Sequence, residues 1–194
     1  MAPSELIMKL RRLTQAGMMD IKAALDEAGD NEEKAIEILR KHGEKVAFKK
    51  QERDTKEGII GVYLHTTNKT MAAVELLCET DFVGRTDEFK DLAHDLALHV
   101  AAMSPHYLTP EQIPSDVVDK EKEIYVAEAE KLNRPPEVTA KIIEGKLNKL
   151  YDEVCLMRQK FLKDETKTID QLIKEYTAKL GEKIVLSNFI RWQI

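Results

Sequence analysis

Covalent chemistry has few footholds in this sequence. There is no Gly-x-x-x-x-Gly-Lys phosphate loop, no Gly-x-Ser-x-Gly elbow and no His-Glu-x-x-His helix. Five histidines are scattered, and His94 and His99 stand five apart, so they fall on different faces of a helix. Asp91 and Asp95 do share a face, but on an amphipathic helix that spacing describes a solvated surface rather than an acid/base pair. The two cysteines, Cys78 and Cys155, lie far apart in apolar runs without a ligand partner nearby, which predicts buried thiols in a reducing compartment and no metal. No apolar stretch approaches the length of a membrane span, and the N-terminus lacks the pattern of a signal peptide. The expected location is therefore the cytoplasm. A net charge of −5 with 34% charged residues supplies a well-solvated surface without the basic face that direct nucleic-acid binding needs. The short basic run Lys45–Arg53 reads equally well as linker. A non-enzyme without cofactor, whose activity is exerted on another protein, is the expectation.

At 194 residues the chain can bury a real core. The pattern starts helical. Ser4 can cap a helix carrying Leu6, Leu10 and Leu13; a second begins near Met18, buries Ile21, Leu25 and Ala28, and ends at Gly29. Asp30 with Glu33 can cap a third, with Ala35 or Ile36, Leu39 and His42 inward before Gly43. Three such helices predict a compact three-helix domain over 1–43, resembling a ubiquitin-associated fold, with Gly17-Met18 in its first loop. Met18 and Met19 point about a hundred degrees apart on a helix and cannot both face the same core, so one should be exposed and suited to a protein contact.

Residues 44–57 are charged and weakly periodic, a linker that can be partly helical. From 58 to 194 the pattern predicts an α+β core. Strands at Gly58–His65 and Met71–Cys78 flank turn chemistry at Thr66–Lys69. Phe89, Leu92, Ala93, Leu96, Val100 and Met103 mark a helix over the sheet. Prolines break the chain between Ser104 and Pro114. A helix to about Leu132, with Ile124 and Leu132 inward, faces a longer one in which Val138 to Phe161 repeat at three to four residues. These form a projecting helical hairpin over about 115–160. Thr168 to Gln171 opens another helix, stopped by Gly181, and the strand-like end from Lys183 should return to the sheet.

Between the second strand and the helix lies Glu79-Thr80-Asp81-Phe82-Val83-Gly84-Arg85, a corner followed by Thr86 as a candidate cap. Either Phe82 and Val83 fold back beneath the helix, or the turn presents Asp81 and Phe82 outward as a wedge for a partner. Nothing local decides between them.

Thr80-Asp81-Phe82-Val83 resembles the Thr-Asp-Phe-Val signature of the translation elongation factor Ts family. Leu13 to Leu25, around Gly17-Met18-Met19-Asp20, resembles that family's upstream motif. The resemblance covers nearly the whole chain and is closest to short members. Gln15 and Ile21 replace a Gly and a Cys, Gly84 stands where Ala is usual, and Ser187-Asn188 where an Arg pair is common. The resemblance implies guanine-nucleotide exchange on the GTPase elongation factor Tu. Phe82 would act as an apolar wedge near the GTPase's Mg²⁺, with Asp81 in polar contact beside it, and Thr80 and Val83 would frame the turn. Gly17, Met18 and Met19 would dock the N-terminal domain. Being short, the chain is also expected to form a homodimer, with the last strand and its Phe189 and Trp192 as seam. The alternative from another class is an adaptor whose three-helix module binds a ubiquitin-like or other small protein.

Overall fold

The computed structural model describes residues 4–14, 16–130 and 135–194. The elements run α1 (Ser4–Thr14), α2 (Met18–Ala28), α3 (Glu32–Lys49), β1 (Glu57–Leu64), β2 (Thr70–Cys78), α4 (Asp81–Gly84) and α5 (Asp87–Met103). Then come α6 (Ser115–Glu130), α7 (Pro136–Val154), β3 (Lys160–Phe161), β4 (Asp164–Thr168), α8 (Ile169–Leu180) and β5 (Val185–Gln193). This is the mixed α+β architecture that the pattern predicts.

Helices α1 and α2, 11 residues each, are too short to persist alone in water and close with α3 on a shared core of Leu10, Ile21, Ala24, Leu25, Ala35 and Leu39. Gly29 ends α2 in the left-handed conformation, φ 62°. Three local expectations fail. Leu13 is 55% exposed rather than inward. Asn31, not Asp30, caps α3: its side chain accepts the Lys34 N–H at 3.0 Å, while Asp30 itself takes φ 59°. Gly43 does not stop α3, which continues to Lys49 and leaves His42 exposed. Gly43 lies buried within the helix and faces α8, where an added Cβ would make an ordinary contact, 3.8 Å, with that of Ala178.

The three-stranded sheet has the order β1-β2-β5 and is antiparallel throughout. The returning last strand is thus hydrogen-bonded to β2, with a bulge at Glu75/Leu76. Ala72, Val74, Leu76 and Cys78 point to one face and pack with Phe89, Leu92, Ala93, Leu96 and Val100 of α5 and with Ile169, Leu172 and Ile173 of α8. Met103, expected in that stripe, is 45% exposed at the end of α5. Strand alternation places Ile60, Val62 and Leu64 of β1 and Ile190 and Trp192 of β5 on the opposite face, where all are exposed. Phe189, paired with Val74, packs against the core instead.

Helices α6 and α7 pack mainly on each other as an antiparallel hairpin. Ile124, expected inward, is 50% exposed, and Leu132 lies outside the described residues. The predicted long helix to Phe161 ends at Val154. There the chain turns back beside Tyr107 and Leu108, whose carbonyls accept the Leu156 and Met157 N–H groups at 2.9 and 3.0 Å. Phe161 belongs to β3, half of a two-stranded ribbon with β4 that the sequence reading did not contain. The expected capping box is present in α8: Thr168 Oγ1 accepts the Gln171 N–H at 3.2 Å, and the Gln171 side chain accepts the Thr168 N–H at 2.9 Å.

Candidate functional site

The corner after β2 is built from short-range necessity. Strand β2 ends at Cys78 and α5 starts at Asp87, so the chain turns from strand to helix through the single helical turn α4. The Gly84 N–H donates to the Thr80 carbonyl at 3.3 Å and the Arg85 N–H to that of Asp81 at 3.1 Å. Thr86 then caps α5, its hydroxyl accepting the Phe89 N–H at 3.3 Å and donating to the Val83 carbonyl at 2.8 Å. Consecutive positions on one turn point in different directions. Val83 accordingly packs on the core beneath α5, whereas Phe82 stands 79% exposed. Of the two arrangements the sequence left open, the turn takes the one with Asp81 and Phe82 outward, and the aliphatic Val83 alone goes in.

Asp81 flanks the ring and lies 2.8 Å from the Arg85 guanidinium, an exposed pair at helical spacing. Below the turn the Cys78 thiol donates to the Thr80 carbonyl at 3.1 Å. Burial, and then the nearby Glu182 carboxylate, push that thiol's pKa up. Burial pushes the Cys155 thiol to about 11. Both sulfurs thus stay protonated at neutral pH and are poor nucleophiles. At Gly84 an alanine Cβ would meet the Cys78 sulfur at 3.5 Å, an ordinary contact, so this departure from the usual Ala leaves the turn's shape alone.

The backbone before the turn is held from a distance. Glu182, in the loop between α8 and β5, accepts the N–H groups of Glu79 and Thr80 at 3.1 and 3.0 Å and the Thr80 hydroxyl at 2.6 Å. Glu79 in turn accepts the Lys183 N–H at 2.6 Å and pairs with Arg53 at 3.3 Å. Burial opposes ionisation of Glu79, but the Lys183 N–H and the Arg53 guanidinium together hold its pKa below the usual carboxylate value. Sequence reasoning missed Glu182. An acidic residue after a helix-stopping glycine carries no periodic signal, and its partners lie about a hundred positions away.

The second group, Gly17, Met18 and Met19, sits at the start of α2. Gly17 occupies the cap position, and its carbonyl accepts the Ile21 N–H at 3.0 Å. Met18 and Met19 are 53% and 78% exposed. Both, rather than one of the two, face solvent, because the first inward row of α2 begins only at Ile21. The two groups do not form one contiguous site: among the described residues, the three-helix unit joins the rest chiefly through α3 on α8. A cleft of about 530 Å³ at that junction reaches Gly17 and Asp20, and an apolar groove of about 600 Å³ lies between α3, α8 and β5. The groove is lined by neither histidine nor cysteine. Among the described residues no group of three His, Cys, Asp or Glu side chains is placed to hold a metal ion, and no helix is long and apolar enough to cross a membrane.

What this geometry offers is recognition: an exposed ring with a carboxylate beside it on a braced turn, and two exposed thioethers on a separate helix start. The chain as a whole compares closely with known proteins. The sequence model of the family Elongation factor TS matches residues 6–194. Elongation factor Ts of Thermosipho melanesiensis is 50% identical over 194 residues, covering 100% of this chain and 99% of that protein. Elongation factor Ts of Pseudothermotoga lettingae is 49% identical over 191 residues (98% and 96%), and that of Syntrophus aciditrophicus 46% over 191 (98% and 95%). With the family's sequence model matched over nearly its full length and about half its residues shared with such relatives, the chain belongs to the elongation factor Ts family of translation elongation factors.

Proposed function

We propose that this protein is the guanine-nucleotide exchange factor of elongation factor Tu, and that Phe82 is the residue on which exchange turns. The observation that carries the reading is the 79% exposure of Phe82 on a turn whose neighbours are all tied down. A large aromatic side chain left in water on an ordered turn is matched to a partner's pocket. Phe82 enters between helices of the GTPase, and Asp81 makes the polar contacts beside it. Thr80 and Val83 hold the turn's two ends, one to Glu182 and one to the core. Displacement of the GTPase helix disturbs the Mg²⁺ that helps hold the diphosphate. Gly17, Met18 and Met19 dock the three-helix unit on the nucleotide domain, the thioethers adapting to its surface.

The energetics are linkage. A factor that binds the nucleotide-free GTPase more tightly than the GDP form weakens GDP by the factor by which GDP weakens it. Each ~1.4 kcal/mol of such coupling is about tenfold in the equilibrium. No bond is made or broken, and the work is done in the cytoplasm, where translation takes place. An adaptor would need only residues 1–43; the packing of α3 on α8 supports a unit that acts with the rest of the chain.

The outer face of the sheet supports a second part of the reading, pairing with another copy of this chain. Ile60, Val62, Leu64, Ile190 and Trp192 give that face an apolar character that a second identical face would cover.

Phe82→Ala tests the assignment. Removing an exposed ring changes folding stability by less than about 0.5 kcal/mol, so the thermal midpoint should hold while stimulation of labelled-GDP release from elongation factor Tu is largely lost. Release stimulated as strongly as by the wild type would refute the role of the ring.

A further inference from the structure

Helix α4 is one turn long and has no stability of its own. A wedge that moves another protein's helix must itself resist displacement, because binding energy absorbed by its own rearrangement does not reach the partner. Rigidity at Phe82 has to be imported.

The source is the segment Gly181–Lys183 of the four-residue loop between α8 and β5. One carboxylate, Glu182, takes three hydrogen bonds from the two residues immediately before Asp81: the amides of Glu79 and Thr80 and the Thr80 hydroxyl. Bonds from backbone N–H groups to an ionised acceptor are among the stronger kinds. The grip is returned, since Glu79 accepts the Lys183 N–H. The other side of the same loop is held by the chain that follows α3. The Lys50 ammonium donates to the Gly181 carbonyl, and the Lys183 ammonium donates to the carbonyls of Gln51 and Arg53 at 2.7 and 2.8 Å. Arg53 closes the circuit on Glu79. The loop therefore ties the continuation of the three-helix unit to the root of the Phe82 turn, alongside the direct Arg53–Glu79 pair.

We infer that Glu182 is a positioning residue for nucleotide exchange, holding the backbone ahead of Asp81 and Phe82 so that the ring arrives already set. Residues 181–183 fix that turn relative to α3 and so relative to Gly17, Met18 and Met19 at the start of α2. The inference rests on the exchange reading given above. Glu182 touches neither nucleotide nor, by this account, the reacting site; it acts through residues 79 and 80.

The test uses the full chain as wild type, Glu182→Ala, Glu182→Gln, Phe82→Ala and the double variant Phe82→Ala/Glu182→Ala. Labelled-GDP release from elongation factor Tu and amide hydrogen exchange at Glu79 and Thr80 are the two readouts. Glu182→Ala should cut stimulated release about tenfold, equivalent to ~1.4 kcal/mol of coupling, and speed exchange at those two amides. Glu182→Gln, which keeps the volume and one acceptor oxygen, should fall between it and the wild type, and covers the case in which the alanine variant does not fold. In the double variant the loss should equal that of Phe82→Ala alone, because a brace has no effect without the ring it holds. Full activity of Glu182→Ala, unchanged protection of the two amides, or losses that multiply in the double variant would overturn this role while leaving the exchange reading intact. A wild-type chain that does not accelerate GDP release overturns the exchange reading and this role with it.

Discussion

His99 is wholly buried where α5 meets the base of the helical hairpin and the β3–β4 ribbon. Its Nδ1 accepts the Leu162 N–H at 3.2 Å, which leaves the proton on Nε2 to donate to the Gln159 side-chain oxygen at 3.0 Å; the Gln159 amide passes the chain on to the Glu153 carbonyl at 2.6 Å. Burial lowers its pKa from the ordinary 6.5, against the opposing effect of the Gln159 bond. The folded state then binds fewer protons at this ring than the unfolded chain, so stability falls as pH drops from about 6.5 through the lowered folded value. Protonation would also set an N–H against the Leu162 N–H. Thermal midpoints taken from pH 7.5 to 5 should therefore decline, and His99→Asn, though less stable throughout, should show a shallower decline. Equal slopes would remove His99 as the cause. The sequence could exclude a His94–His99 metal pair from spacing but gave no sign that His99 is a structural hub, since Gln159 is 60 positions away. Phe82 and Val83 make the same point at close range. Both are apolar neighbours, and only the phase of one helical turn, fixed by the Thr86 cap, decides which is buried.

Helix α5 lies directly on β1 at Gly61. A Cβ there would fall 2.5 Å from the backbone carbon and oxygen of Ala93, atoms that cannot rotate aside. Gly61→Ala should thus lift α5 from the sheet and lower stability by about 1–3 kcal/mol, measured by urea denaturation; an unchanged midpoint would contradict the close crossing. Elements set by local rules were legible: the hairpin, the capping box of α8 and the left-handed stops at Gly29 and Gly181 follow from residues within a few positions. Those settled by distant contacts were not. The row Val154, Met157, Phe161 continues the helical spacing of α7, yet the chain leaves the helix at Cys155 because the backbone at Tyr107 and Leu108 offers hydrogen bonds that the helix would have to forgo. Gly43 reads as a stop in isolation and functions as a contact surface because α8 lies against it.

For the whole molecule, the exposed sheet face is the feature with the largest consequence in solution. If two copies meet there, Trp192 at 58% exposure and Ile60 at 70% are the side chains with most to bury. The double variant Ile60→Glu/Trp192→Glu should weaken self-association by about 2 kcal/mol or more, roughly 30-fold, and shift sedimentation to the monomer. A wild type that sediments only as monomer at working concentrations would dismiss the pairing. The last strand's return to the sheet was expected from its composition; that Phe189 turns inward and Trp192 outward follows from the register with β2 across the bulge.

The tie between Thr80 and Glu182 spans 102 positions, and this imposes an order on biosynthesis. A nascent chain exposes its aromatic corner long before the ribosome has joined the residue that steadies it, and the middle strand waits equally long for its second neighbour. A polypeptide interrupted short of Glu182 would carry the signature motif without a fixed shape for it. Competence of the corner is thus delayed until late in translation, the process that the family serves.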